Sequence, residues 1–198
     1  MTRLLVVGED ALSCVLGERI VQQALPTWSL ARESIRTGGV TKLVAALPRY
    51  AQLARNLYPV LCVADTDRAC PVELLKRWNM IESDGRLLVR LAVTESESWV
   101  LADRQALADQ FSLPLSKIPP NPDQLPDPKG TMLQLASASR VKALRKEMVA
   151  ADGSRPGAGY GVHLRHFVLN AWRPSEAASQ SPSLERALRR LRELGKVA

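Results

Sequence analysis

Several chemistries are excluded by what this 198-residue chain lacks. Its three cysteines, Cys14, Cys62 and Cys70, are odd in number and form no CxxC pair, which is a poor basis for a disulfide framework or a thiolate zinc site. Cys62 lies in an apolar run and reads as a small buried hydrophobe. Only two histidines occur, His163 and His166. Their i,i+3 spacing has no cysteine or acid at zinc-ligand distance in sequence, so they read as surface helix residues. Neither G-x-x-x-x-G-K-[ST] nor G-x-G-x-x-G is present, and the chain is not expected to hydrolyse ATP by itself. No apolar run approaches 20 residues and no charged-then-apolar leader opens the sequence; a soluble, reduced, cytoplasmic protein is expected. Aromatics make up 5% of the residues, and Trp99 and Trp172 read as core or interface anchors rather than base-stacking platforms.

The composition that remains is that of a globular chain, 46% hydrophobic and 24% charged. It predicts one hydrophobic core with a C-terminal helical extension. A net charge of +7 favours polyanionic partners, DNA or RNA foremost. The basic excess is concentrated in Arg140, Lys142, Arg145 and Lys146, with Arg186, Arg189, Arg190 and Arg192 further on.

Periodicity predicts an α/β fold. R-L-L-V-V-G at the N-terminus reads as a buried parallel strand entering a turn. A helix from Ala11 to Leu25 follows, then a strand within T-W-S-L-A-R-E-S-I, a Gly38-Gly39 turn and a helix beginning near Thr41. The clearest strand is Y-P-V-L-C-V-A-D-T-D. Pro71 opens a helix to about Met80, a Ser83-Asp84-Gly85 turn follows, and R-L-L-V-R-L-A-V is the fourth strand. Alternation of this kind implies a mostly parallel four-stranded sheet with helices on its faces. Beyond it, a helix from Glu95 to about Phe111 precedes a loop holding six of the thirteen prolines, then helices over about 131–150, from Tyr160 and from Leu184. The expected division is a core over 1–112, with the Pro-rich loop and C-terminal helices of 113–198 packed on it.

Acids stand at the ends of three of these strands: Glu9 after the first, Asp65 and Asp67 after the third, Glu95 and Glu97 after the fourth. Singly, each has a plain structural reading, as a helix N-terminal charge, a turn-and-cap pair, or an exposed first helical turn. Together they bring carboxylates to the carboxyl edge of a parallel sheet, where ligands bind in such folds. Mg²⁺ takes oxygen ligands and keeps several waters, so one or two carboxylates suffice and positions remain for phosphate oxygens. Lys129, after Pro128 and before a helix, is placed to reach a phosphate as a point charge; its alternative is a solvated loop lysine. Ser181 and Ser183 flank Pro182 as caps of the last helix.

The order V-V-G-E, V-A-D-T-D-R and A-V-T-E-S-E-S-W-V-L-A-D resembles the Toprim fold of topoisomerases, primases and OLD-type nucleases. More closely it resembles a group of small bacterial Toprim-like proteins, often encoded beside ABC-type ATPases and some of them in phage-defence loci. D-P-K-G-T-M-L, Y-G-V-H-L-R-H-F-V and S-Q-S-P-S-L-E-R-A-L are similar to that group's downstream segments. The resemblance implies a Toprim-like (Rossmann-like) fold with Glu9 in acid/base chemistry or metal ligation and Asp65 and Asp67 holding Mg²⁺ or Mn²⁺. In this chain the acid follows the glycine, Gly8-Glu9, where the family's first motif has it before. The expected activity is metal-dependent phosphodiester hydrolysis of DNA or RNA, as effector of an ATPase-partnered defence system. Glu95 or Glu97 would support a metal ion, and Arg68, Arg140, Lys142, Arg145 and Lys146 would contact nucleic acid. Alternatives are a non-catalytic partner subunit of an ABC-type ATPase and a small-molecule phosphotransferase or phosphatase.

Overall fold

A computed structural model describes residues 2–80 and 85–197. The expected Ser83-Asp84-Gly85 turn lies outside the described residues except for Gly85, whose φ is +78°. The protein is α/β: a parallel sheet flanked by helices.

Strands β1 (Arg3–Gly8), β4 (Val60–Asp65) and β5 (Leu87–Ala92) form the sheet's centre and one side. β1 beyond Arg3 and β4 up to Asp65 are continuous apolar runs because both of their faces are covered, and β5 is apolar except for the half-buried Arg90. Leu4, Val6, Leu61, Val63, Leu88 and Ala92 enter one buried cluster, whereas Leu5, Val7, Val60, Cys62, Ala64 and Val89 enter the other. The second expected strand is present in two short pieces, β2 (Ser29–Leu30) and β3 (Ile35–Arg36). Both pair in parallel with β1, at its start and its end respectively. Residues 31–34 leave the ladder between them, so one predicted strand becomes two. The order β2-β1-β4-β5 puts the ends of β1 and β4 side by side, with Gly8 opposite Val63 and Asp65 opposite Ala92.

Helix α1 (Ala11–Ala24) starts at Asp10, whose side chain accepts the Ser13 N–H. A tight approach of α1 to β1 requires glycine at position 8, where a Cβ would lie 2.5 Å from the Cys14 nitrogen. Helix α2 (Val40–Asn56) packs with α3 (Pro71–Arg77) on one face of the sheet, through Leu43, Leu47, Tyr50 and Leu74. The opposite face carries α1 together with the rest of the chain.

The helix predicted over Glu95–Phe111 is interrupted. It comprises α4 (Glu97–Ala102) and α5 (Arg104–Phe111), which join at Asp103. Asp103 is 1% exposed, caps the Ala106 N–H, and accepts the Arg173 backbone N–H at 2.8 Å and two guanidinium bonds at 2.6 and 3.0 Å. That demand for a non-helical residue at 103 outweighs local propensity. The predicted 131–150 helix likewise divides into α6 (Pro128–Ala138) and α7 (Lys142–Glu147). Between them Ser139 turns back to donate its hydroxyl to the Phe111 carbonyl at 2.8 Å.

Helices α8 (Tyr160–Asn170), α9 (Pro174–Ala178) and α10 (Pro182–Val197) complete the chain. Met132, Leu164, Phe167, Trp172 and Leu188 lie in the same cluster as Leu16, Leu61 and Trp99. Trp99 and Trp172 are fully buried, as expected of anchors; the Trp99 indole donates to Ser183 Oγ and the Trp172 indole to the Trp99 carbonyl. The Pro-rich segment is pinned at two points along its path. Arg104 donates to the Ile118 carbonyl, and Asp123 accepts the Ser181 hydroxyl and the Ser183 N–H. Ser181 also caps α10 by accepting the Leu184 N–H. Among the described residues no helix is long and apolar enough to cross a membrane.

Candidate functional site

Because β1, β4 and β5 are parallel, their carboxyl ends share one edge of the sheet. The Glu9 backbone N–H donates to the Val63 carbonyl at 3.3 Å, which seats Glu9 beside the end of β4. Its own carbonyl accepts N–H groups from Gly38 and Gly39 at 2.9 and 2.8 Å. That turn requires glycine, since φ is +80° and +119° at the two positions. Glu9 Oε2 then stands 3.5 Å from the Asp65 amide nitrogen.

Past the last ladder residues, β4 and β5 remain tied. Thr66 Oγ1 accepts the Thr94 N–H at 2.7 Å and the Thr94 carbonyl accepts the Asp67 N–H at 3.0 Å. The chain pays for this closure in backbone strain: Asp67, Arg68 and Thr94 all have positive φ, +47°, +67° and +65°. Consecutive left-handed residues other than glycine are costly and cluster at functional sites. Asp67 and Arg68 are exposed there, while Asp65 is half-buried.

Asp65 belongs to a hydroxyl chain absent from the sequence reading. Ser96 donates to Asp65 Oδ1 at 2.6 Å, Ser96 and Ser13 hydroxyls are 3.4 Å apart, and Ser13 donates to Asp10 at 2.7 Å. Burial is the main cause that pushes the Asp65 carboxyl up to about 8, with the nearby Glu9 charge second and the Ser96 hydrogen bond opposing both. Burial likewise raises Glu9 to about 7, against a lowering backbone hydrogen bond from Asp65; Asp10, Asp67 and Glu97 add repulsion. Crowded carboxylates of this kind gain from a cation that removes their mutual repulsion.

The two acids after β5 serve differently. Glu97 is buried, accepts the Tyr160 hydroxyl at 3.0 Å, and is raised by desolvation, with the Lys129 charge as the largest opposing influence. Glu95 is turned to the start of α6, where its carboxylate accepts the Lys129 backbone N–H at 2.8 Å. Lys129 is exposed, its ammonium 5.9 Å from the centre of the Tyr160 ring. Tyr160 and Ser96 are therefore residues of the site that sequence reasoning missed.

Among the described residues no three His, Cys, Asp or Glu side chains gather closely enough to hold one metal ion. What the edge offers a cation is the neighbouring Glu9 and Asp65, with Asp67 two residues on. A donor set of carboxylate oxygens alone fits Mg²⁺ or Mn²⁺, which retain waters, and not zinc.

Of the expected nucleic-acid residues, Arg68 follows Asp67 at the carboxyl edge and is exposed, and the other four lie around α7. Arg140, Lys142, Arg145 and Lys146 are all exposed around α7, with Arg145 also donating to the Ser139 carbonyl. His163 pairs with Glu147 at 2.7 Å, and His166 is exposed. Compared with protein-family models, with curated proteins and with solved structures, the chain gives no significant match.

Proposed function

We propose that the chain is a Toprim-like phosphodiesterase that hydrolyses DNA or RNA with Mg²⁺ or Mn²⁺. The observation that carries this reading is the placing of the Glu9 carboxylate 3.5 Å from the Asp65 amide nitrogen at the carboxyl edge, with both carboxyls raised mainly by burial and Asp65 raised further by the Glu9 charge. In this reading Asp65 and Asp67 hold the cation. When bound, it supplies positive charge to the phosphate oxygens and to the leaving oxygen.

The chain's own groups do the rest. Glu9, with its carboxyl near 7, is matched to accept a proton from the attacking water near neutral pH. Ser96 fixes the Asp65 carboxylate by a 2.6 Å bond. Lys129, whose charge acts on Glu97 and whose ammonium lies 5.9 Å from the Tyr160 ring centre, supplies a second positive charge within the same region. The exposed basic residues around α7 attract the polyanion. An ABC-type ATPase partner and a defence role follow from the family resemblance alone.

The test is metal-dependent turnover across substrate classes. Plasmid DNA and bulk RNA should be cut in Mg²⁺ or Mn²⁺ and spared in chelator, whereas mononucleotides and simple phosphate monoesters should not be turned over. Monoester turnover without polynucleotide cleavage points to a small-molecule phosphatase instead.

A further inference from the structure

A cavity of about 390 Å³ opens at the end of β4, with Asp65 and Asp67 in its lining. Asp65, Thr66 and Asp67 form one wall; the first turn of α2, through Val40 and Thr41, forms another. Val44, Ala69 and Leu74 add apolar lining, and Arg77 and the half-buried Trp78 complete it. Its volume lies in the range of roughly 300–1,000 Å³ seen for small-molecule sites.

We infer that this cavity binds the base of a nucleotide adjoining the phosphate that the acids address. The inference rests on the phosphodiesterase reading for the identity of that phosphate, but the binding site stands on its own geometry. The chemistry fits in three ways. The Trp78 indole, lining the cavity together with apolar side chains, offers a planar ring a stacking partner without demanding one base over another. Arg77, next to Trp78 in the chain and in the cavity lining, adds a cation to a site that must tolerate a nucleotide's negative charge. Gly39, the N-cap of α2, supplies no side chain to the turn's N–H groups, which leaves that end of the cavity favourable to a phosphate oxygen. Asp65 and Asp67 are shared by cavity and acid cluster, so a base held on Trp78 brings its own phosphate toward the carboxyl edge. Selection then falls on flipped or single-stranded nucleotides, because a base stacked in a duplex cannot enter.

The experiment titrates adenosine 5′-monophosphate and ribose 5-phosphate, in Mg²⁺, into the parent chain, Val44→Trp and Trp78→Ala, by calorimetry and tryptophan fluorescence. Val44→Trp fills the cavity, and Trp78→Ala removes the stacking wall; thermal melting and circular dichroism establish that each is folded, and Trp78→Phe serves as a stacking rescue. The expected result is tighter binding of the nucleotide than of the sugar phosphate, reduced roughly 10-fold or more by Val44→Trp and Trp78→Ala and restored by Trp78→Phe. Equal binding of nucleotide and sugar phosphate, no binding of either, or nucleotide affinity unchanged in folded Val44→Trp overturns the site. Base-dependent binding by a parent chain that cleaves no polynucleotide overturns the phosphodiesterase reading and leaves the cavity assignment standing.

Discussion

Ser96 donates its hydroxyl hydrogen to Asp65 Oδ1 across 2.6 Å, joining the loop after β5 to the last residue of β4. The bond favours the ionised carboxylate and so opposes the burial that raises it. Replacing Ser96 by Ala removes that opposition. Asp65 should then stay protonated to higher pH, and the acid limb of a Mg²⁺-dependent cleavage profile should move upward while activity at its alkaline plateau changes little. A variant whose acid limb coincides with the parent's contradicts this role for Ser96.

The raised carboxyls also set how stability depends on pH in metal-free protein. A carboxyl with a folded value above its unfolded one binds a proton more readily when folded, so the stabilisation is complete below about 4, the unfolded value. It is lost as pH rises through about 7 for Glu9 and about 8 for Asp65. Melting temperature in chelator should fall from pH 5 to pH 8.5, and Asp65→Asn should flatten the decline. A flat parent curve counts against the crowded-acid description.

Much of this edge was legible in the sequence, and the reason is physical. Doubly covered parallel strands are unbroken apolar runs, and an acid that ends such a run has one place to go. V-V-G-E and V-A-D-T-D therefore located Glu9 and Asp65 correctly at the carboxyl edge. The partners of those acids were illegible, because Ser13 meets Ser96 across 83 positions and Tyr160 meets Glu97 across 63. Glu95 shows the converse: two acids in E-S-E look equivalent in sequence, yet one is turned to α6 and the other buried under Tyr160. The helix break at Asp103 depended on Arg173, which lies 70 residues away.

That distant pair predicts a structural variant. Asp103→Ala removes the acceptor of the Arg173 backbone N–H and of the Ala106 cap from a position 1% exposed. Stability should drop by roughly 0.5–2 kcal/mol, the cost of losing a helix cap, read as a lower denaturant midpoint with unchanged slope. Loss below about 0.5 kcal/mol contradicts the role given to Asp103 in dividing α4 from α5.

Lys142 and Lys146, one turn apart on α7 and both exposed, should contact phosphates rather than bases. Replacing both by Ala should weaken binding to any polynucleotide and reduce the slope of log affinity against log salt by about 2. An unchanged slope places the nucleic-acid surface elsewhere on the molecule.

The chemistry assigned to the carboxyl edge is tested most directly by Asp65→Asn/Asp67→Asn. Asn preserves shape and removes the charges that draw a hard cation from water. Supercoiled plasmid and single-stranded RNA are incubated with parent and double variant in Mg²⁺ and in Mn²⁺, and melting of both proteins is followed with and without metal. The parent should cut and gain thermal stability on adding Mg²⁺; the double variant should melt no lower than the metal-free parent, show no gain with Mg²⁺, and leave both substrates intact. A double variant that cuts as fast as the parent would contradict the assignment.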